Sequence, residues 1–157
     1  MENNYLYQQL LAYNCIKKGK FKLKNGQYSD FYVDIKSVIA YPELVKYIGD
    51  QLYSQLDDFD IICGIPYGAL PIACYISTTY NKPLIYIRDK VKDYGTKKLI
   101  EGNYKKEDRC VIIDDVLTTG FSIEKDYQIL EKEINIVDKA VVVNRNKNYK
   151  IKSLLVL

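Results

Sequence analysis

The densest concentration of chemistry in the chain is Cys110-Val111-Ile112-Ile113-Asp114-Asp115-Val116-Leu117-Thr118-Thr119-Gly120-Phe121-Ser122. An apolar run stops at two adjacent carboxylates, and a turn rich in Thr and Gly then leads into a helical stretch. A strand that feeds a helix through such a turn makes an anion nest. Backbone N–H groups converge, threonine hydroxyls add donors, and the helix dipole favours negative charge. A phosphate fits there. The two carboxylates ahead of it would repel a bare phosphate unless something stands between. A ribose does so: its 2′- and 3′-hydroxyls can donate to the Asp pair while its 5′-phosphate enters the nest. The same pair can stabilise positive charge developing at an anomeric carbon. The turn lacks the Gly-Lys-Ser/Thr of a Walker loop, and no G-x-G-x-x-G dinucleotide fingerprint occurs in the chain.

Two further features could join that chemistry. Residues 88–98 hold five basic side chains (Arg88, Lys90, Lys92, Lys97, Lys98) against Asp89 and Asp93. On composition alone this is a solvated charged loop. Arg145 follows the last long apolar run, where a guanidinium could grip a carboxylate bidentately, although an isolated Arg after a strand is usually a surface residue. The chain has no histidine, which removes imidazole as a general base or metal ligand.

These residues need elements to position them. Helical spacing marks 5–16, 42–56 (opened by Pro42), 69–80 and 122–133, the last with an apolar face of Ile123, Tyr127 and Leu130. Short apolar runs at 60–63, 84–87, 110–113 and 136–143 read as strands, and 88–104 as a long polar loop. Near the N-terminus, 21–24 and 31–35 read as two strands joined through Asn25-Gly26, a small antiparallel flap. The alternation predicts an α/β fold: one domain over 1–157 with a mostly parallel central sheet flanked by helices. Ligands of such sheets bind beyond the carboxyl ends of the strands. The loops 64–71, 88–102 and 114–122 and the residues after Val143 are therefore the ones to inspect.

Composition narrows the classes. The chain has 157 residues and a net charge of +3, too small a surplus to argue for nucleic acid. Neither a secretory leader nor a membrane span is expected. Four cysteines without C-x-x-C spacing read as free buried thiols in a reducing cytoplasm.

The segment from Cys110 to Ser122 resembles the phosphoribosyl-pyrophosphate signature of the type I phosphoribosyltransferases. Other blocks resemble one branch, the orotate phosphoribosyltransferases. Phe21-Lys22-Leu23-Lys24-Asn25-Gly26 is similar to F-x-L-K-S-G, and Ser29-Asp30-Phe31-Tyr32-Val33-Asp34 to S-P-x-Y-x-D. The run from Gly64 through Pro66, Tyr67, Ala69 and Leu70 to Pro71 is similar to G-x-P-Y-x-A-L-P. Lys92-Asp93-Tyr94-Gly95-Thr96-Lys97-Lys98-Leu99-Ile100-Glu101-Gly102 is similar to K-D-Y-G-T-x-x-x-I-E-G. The blocks occur in the family's order from Phe21 to about Arg145. Asp89 stands where the family has a second basic residue, Gly68 where some members have Lys, and Asp30 where Pro is usual.

The resemblance implies the type I phosphoribosyltransferase fold, with flap and hood elements at about 18–38 and 144–157. It implies transfer of phosphoribose from phosphoribosyl pyrophosphate to orotate, in pyrimidine biosynthesis, by a cytoplasmic homodimer with shared sites. It assigns Lys92, Asp114 and Asp115 to catalysis. It assigns Lys24, Tyr67, Arg88, Lys92, Tyr94, Asp114, Asp115, Val116, Leu117, Thr118, Thr119, Gly120, Phe121 and Ser122 to phosphoribosyl pyrophosphate. Orotate falls to Lys24, Tyr32, Val33, Thr118 and Arg145. The loop with Lys92 is implied to close over pyrophosphate, with Gly95 and Gly102 as its flexible points. Magnesium is expected mainly on the phosphoribosyl pyrophosphate rather than in a protein cage, and a decarboxylase acting on the product is a possible partner. The family continues past the strand near Val143 with further closing structure. Only nine residues follow Asn148 here, so that layer is expected to be short or incomplete. A regulator that binds phosphoribosyl pyrophosphate or nucleotide with weak catalysis is the alternative from another class.

Overall fold

A computed structural model of the chain describes residues 4–22, 26, 28–90 and 98–157. A six-stranded sheet runs through it in the order β5-β4-β3-β6-β7-β8. Its strands are β3 (Ile61–Gly64), β4 (Leu84–Ile87), β5 (Ile100–Glu101), β6 (Arg109–Leu117), β7 (Asn135–Asn144) and β8 (Lys152–Val156). Every neighbouring pair is parallel except β4–β5. Helices α2 (Pro42–Gln55) and α3 (Leu70–Tyr80) share one apolar cluster with Ile62, Val111, Ile113 and Val142. Helix α4 (Phe121–Leu130) joins the other, with Ile61, Cys63, Cys110 and Ile112. Alternate residues of β3 and β6 thus enter different clusters, so both strands read as unbroken apolar runs.

A separate ribbon pairs β1 (Ile16–Lys22) with β2 (Tyr28–Val33) in antiparallel register, Ile16 opposite Val33 and Lys22 opposite Tyr28. This is the expected flap, but β1 begins five residues earlier than the sequence suggested. Helix α1 is Tyr5–Ala12 rather than 5–16. Asn14 takes a left-handed conformation (φ +56°). Cys15 N–H donates to the Leu10 carbonyl (2.7 Å) and Asn14 N–H to that of Leu11 (3.0 Å), closing the helix as a Schellman turn. A short 3-10 segment, Ile35–Ala40, leads from the flap to α2.

Other expectations change as well. The strand expected over 110–113 does not stop at the Asp pair: β6 continues to Leu117, because the ten-residue β7 offers it a ladder as far as Leu117 opposite Asn144. The polar stretch 88–104 contains β5, which pairs with β4 at the sheet edge. The chain after Asn148 adds one more strand to the sheet, β8, which lies parallel to β7, Val143 opposite Leu155. The four cysteines are free; Cys15, Cys63 and Cys110 are buried, but Cys74 is exposed on α3. Among the described residues, no helix is long and apolar enough to cross a membrane.

Candidate active site

The carboxyl ends of the parallel strands β3, β4, β6 and β7 lie on the same side of the sheet, and the described parts of the loops singled out from the sequence follow them. Asp114 and Asp115 lie within β6. Asp114 is 7% exposed and accepts from the Asp115 N–H at 2.8 Å. Burial, reinforced by the neighbouring Asp115 charge, raises its carboxyl well above the ordinary carboxylate range. Asp115 is less buried. Lys36, from the 3-10 segment, brings its Nζ to 3.7 Å of Asp115 Oδ2. From the other side comes the loop after β3, in which the Pro66–Tyr67 peptide is cis. A Cβ on Gly68 would sit 2.0 Å from Asp115 Oδ2, so only glycine lets that loop come this close.

The turn after β6 has the shape its composition suggested. Gly120 has φ +85°, Thr119 Oγ1 accepts from the Phe121 N–H at 3.3 Å, and α4 starts at Phe121. Asp114, Val116 and residues 117–123 line one small recess. Leu117 is buried, Thr118, Thr119 and Ser122 are exposed, and Phe121 is 73% exposed at the rim.

Beside that recess lies a cavity of about 100 Å³, lined by Pro66, Arg88, Asp89, Ser122, Lys125 and Asp126 among others. Arg88 is held by Glu101 (Nη1–Oε1 2.8 Å). Asp126 is 5% exposed, and burial pushes its carboxyl up to about 6, with Lys125 opposing and Asp89 adding to the rise. Asp126 was missed in the sequence. The signal was its place between Ile123 and Leu130 on the buried face of α4, where an acid is unusual.

Arg145 ties the flap to the cradle. Its N–H donates to the Leu117 carbonyl (2.8 Å), its Nη2 donates to Ser29 Oγ (3.0 Å), and its guanidinium lies 4.6 Å from the Phe31 ring centre. It is half-buried, and burial lowers its pKa. Tyr32 is 43% exposed, with its ring beside Phe21, and Tyr67 is 69% exposed. Val33 does not present its side chain to the site, for it is 7% exposed and packs into the core. Lys24, Lys92, Tyr94 and Gly95 lie outside the described residues. Lys36 carried no signal of its own in the sequence; only the fold brings it to Asp115.

Residues 36–154 match the model of the phosphoribosyl transferase domain. The chain is 41% identical over 139 residues to an orotate phosphoribosyltransferase of Methanocaldococcus jannaschii, covering 88% of this chain and 79% of that one. The chain belongs to the orotate phosphoribosyltransferase family. A crystal structure of orotate phosphoribosyltransferase from Aeropyrum pernix superposes with a TM-score of 0.83 at 28% identity, over 97% of this chain and 93% of that one. The family also reaches longer proteins. The chain is 37% identical to the uridine 5'-monophosphate synthase of Bos taurus, with 85% of this chain matching 29% of that one. The family's fold is the one described above, a mostly parallel sheet with helices and a small N-terminal antiparallel ribbon.

Proposed function

We propose that the chain transfers the phosphoribosyl group of phosphoribosyl pyrophosphate to orotate, giving orotidine 5'-monophosphate and pyrophosphate in pyrimidine biosynthesis. The observation that carries this reading is the bond from Arg145 N–H to the Leu117 carbonyl. It sets a cation suited to a planar carboxylate beside the turn suited to a ribose 5′-phosphate. The relatives at about 40% identity bear the name of the same activity.

In this reading the N1–C1′ bond forms as the bond from C1′ to the pyrophosphate oxygen breaks. Orotate gives up its N1 proton and pyrophosphate leaves with the electron pair. Asp114 and Asp115 accept from the ribose hydroxyls and face the charge that develops at C1′. Backbone N–H groups and hydroxyls from Thr118 to Ser122 hold the 5′-phosphate. Arg145, with Tyr32 and Lys24, orients orotate. Tyr67, Arg88, Lys92 and Tyr94 attend the pyrophosphate end. Holding both reactants in line supplies much of the rate, because the chemistry asks for little acid–base work.

The donor set at Asp114 and Asp115 is all oxygen and fits magnesium. Among the described residues no group of three or more acidic or thiol side chains could hold an ion unaided. The two carboxylates would hold it jointly with substrate oxygens and water. When bound, it neutralises charge on the leaving group. The reading includes a cytoplasmic homodimer whose copies share sites, supported by the family pattern around Lys92. It includes a decarboxylase acting on the product, supported by the match to one portion of the longer synthase.

The test is the loss of orotate absorbance in the presence of phosphoribosyl pyrophosphate and magnesium. Turnover supports the reading. Tight binding of phosphoribosyl pyrophosphate without turnover would turn it toward a regulator.

A further inference from the structure

Tyr149 belongs to none of the patterns that mark the site, yet its side chain lies against the phosphate turn. A Cβ on Gly120 would come within 2.6 Å of Cε2 of the Tyr149 ring, so the ring rests directly on the Gly120 backbone. Its hydroxyl donates to Glu124 Oε1. Glu124 is tied to the same turn, since its N–H donates to the Gly120 carbonyl at 3.0 Å. Lys139 Nζ holds that carboxylate at 2.7 Å. Burial, then the Glu124 carboxylate, push the Tyr149 hydroxyl up to about 12, so it remains a donor at neutral pH.

The backbone of Tyr149 belongs to the loop that presents Arg145. Tyr149 N–H donates to the Asn146 carbonyl (2.9 Å), and its own carbonyl accepts from Asn144 Nδ2 (3.1 Å). Asn144 Oδ1 in turn accepts from Asn146 N–H at 2.8 Å. The loop is therefore closed on itself. It touches the phosphate turn at both ends: Arg145 N–H on the Leu117 carbonyl, and the Tyr149 ring on Gly120. The turn and the loop are thus packed and hydrogen-bonded to each other.

We propose that Tyr149 is a positioning residue that couples the two ends of the site, so that a phosphate seated in the turn fixes the loop presenting Arg145 and raises affinity for the carboxylate-bearing base. The proposal rests on the phosphoribosyl-transfer reading of this site. Thermodynamic linkage makes the coupling reciprocal, so each ligand tightens the other by the same factor.

The experiment uses ribose 5-phosphate, which carries the phosphate but no leaving group. Orotate affinity is measured by calorimetry on the full chain with and without it, and amide hydrogen exchange is followed over residues 145–149. The wild-type chain should bind orotate about tenfold tighter with ribose 5-phosphate present, within the usual range of coupling. Exchange in that loop should slow. Tyr149→Ala should retain less than a twofold effect and lose the exchange response. Tyr149→Phe keeps the ring on Gly120 and should fall between the two. A purely structural tyrosine would lower the melting temperature and leave the coupling factor alone. Full coupling in a folded Tyr149→Ala overturns the proposal. Should that variant not fold, full coupling in both Tyr149→Phe and Glu124→Gln overturns it. If ribose 5-phosphate protects the loop in the wild-type chain but not in Tyr149→Ala while orotate binds neither, the link from turn to loop stands, and the base half of the proposal falls with the orotate reading. If ribose 5-phosphate does not bind, both readings fall.

Discussion

The cradle and the flap are built in opposite ways. The cradle grows out of β6, where Val111, Ile112 and Ile113 have no exposed surface and neighbouring strands pair on both sides. The flap is a two-stranded ribbon largely open to solvent, with Lys18, Gly19 and Lys20 exposed along β1 and Tyr28 70% exposed at the start of β2. Two-stranded ribbons are marginal alone. This one is braced where Arg145 meets Ser29 and Phe31, and where Asp34 N–H donates to the Cys15 carbonyl (2.7 Å). The difference separates two tasks. In the proposed reading, sugar and phosphate would be held by the core-built turn, where error in position costs rate. The base would be held between the ribbon and Arg145, which joins the ribbon to that turn.

Substitutions can break that division. Asp114→Asn or Asp115→Asn should lower kcat by about 10²–10³, the usual cost of one electrostatic partner of a transition state. The loss should appear in the forward assay and in pyrophosphorolysis of orotidine 5'-monophosphate alike; a variant of either residue within twofold of wild type would remove the Asp pair from the mechanism. Arg145→Ala should cost roughly 10² in kcat/KM for orotate, the loss of a charge-assisted pair. Its KM for phosphoribosyl pyrophosphate should stay within about twofold, and equal damage to both substrates would erase the contrast drawn above. Gly68→Ala tests the close approach to the cradle. Its new methyl must displace the Asp115 carboxylate, and activity should fall by roughly tenfold while the melting temperature changes little.

The smallest expected effect is on stability. Burial pushes the Asp126 carboxyl up to about 6, above its value in the unfolded chain, so the folded state holds the extra proton. Its contribution is therefore intact below the unfolded pKa and is lost as pH rises through about 6. Asp126→Asn should raise the melting temperature at pH 7.5, by on the order of 1–2 kcal/mol of stability, and leave it unchanged near pH 4. Equal melting shifts at the two pH values would show that the carboxyl is not the cause.

The sequence was most legible where structure is local. Strands β3, β4 and β7 and helices α2 and α3 sit close to where apolar runs and helical spacing put them, because each of those patterns is written within one segment. Strand β1 was hidden by Lys17, Lys18 and Lys20, which suit an exposed ribbon and leave no alternation to read. The length of β6 past its carboxylates depended on β7, and β5 on β4; neither pairing is written in one segment. The site divides in the same way. The run from Asp114 to Ser122 is contiguous, and its strand–turn–helix shape was readable. The approaches of Gly68 and Lys36 to Asp115, and of Tyr149 to Gly120, join distant parts of the chain and were not.

Asn144 occupies a position that few other side chains could fill. It is 3% exposed, and its amide group gives to one backbone group and takes from another while its carbonyl accepts from Leu157 N–H. Aspartate could take but not give; leucine could do neither. A screen that scores variants by growth alone would therefore rank 144 among the least tolerant positions and mistake it for a ligand contact. Its intolerance would be that of a keystone in the backbone, and purified variants would reveal it by melting early.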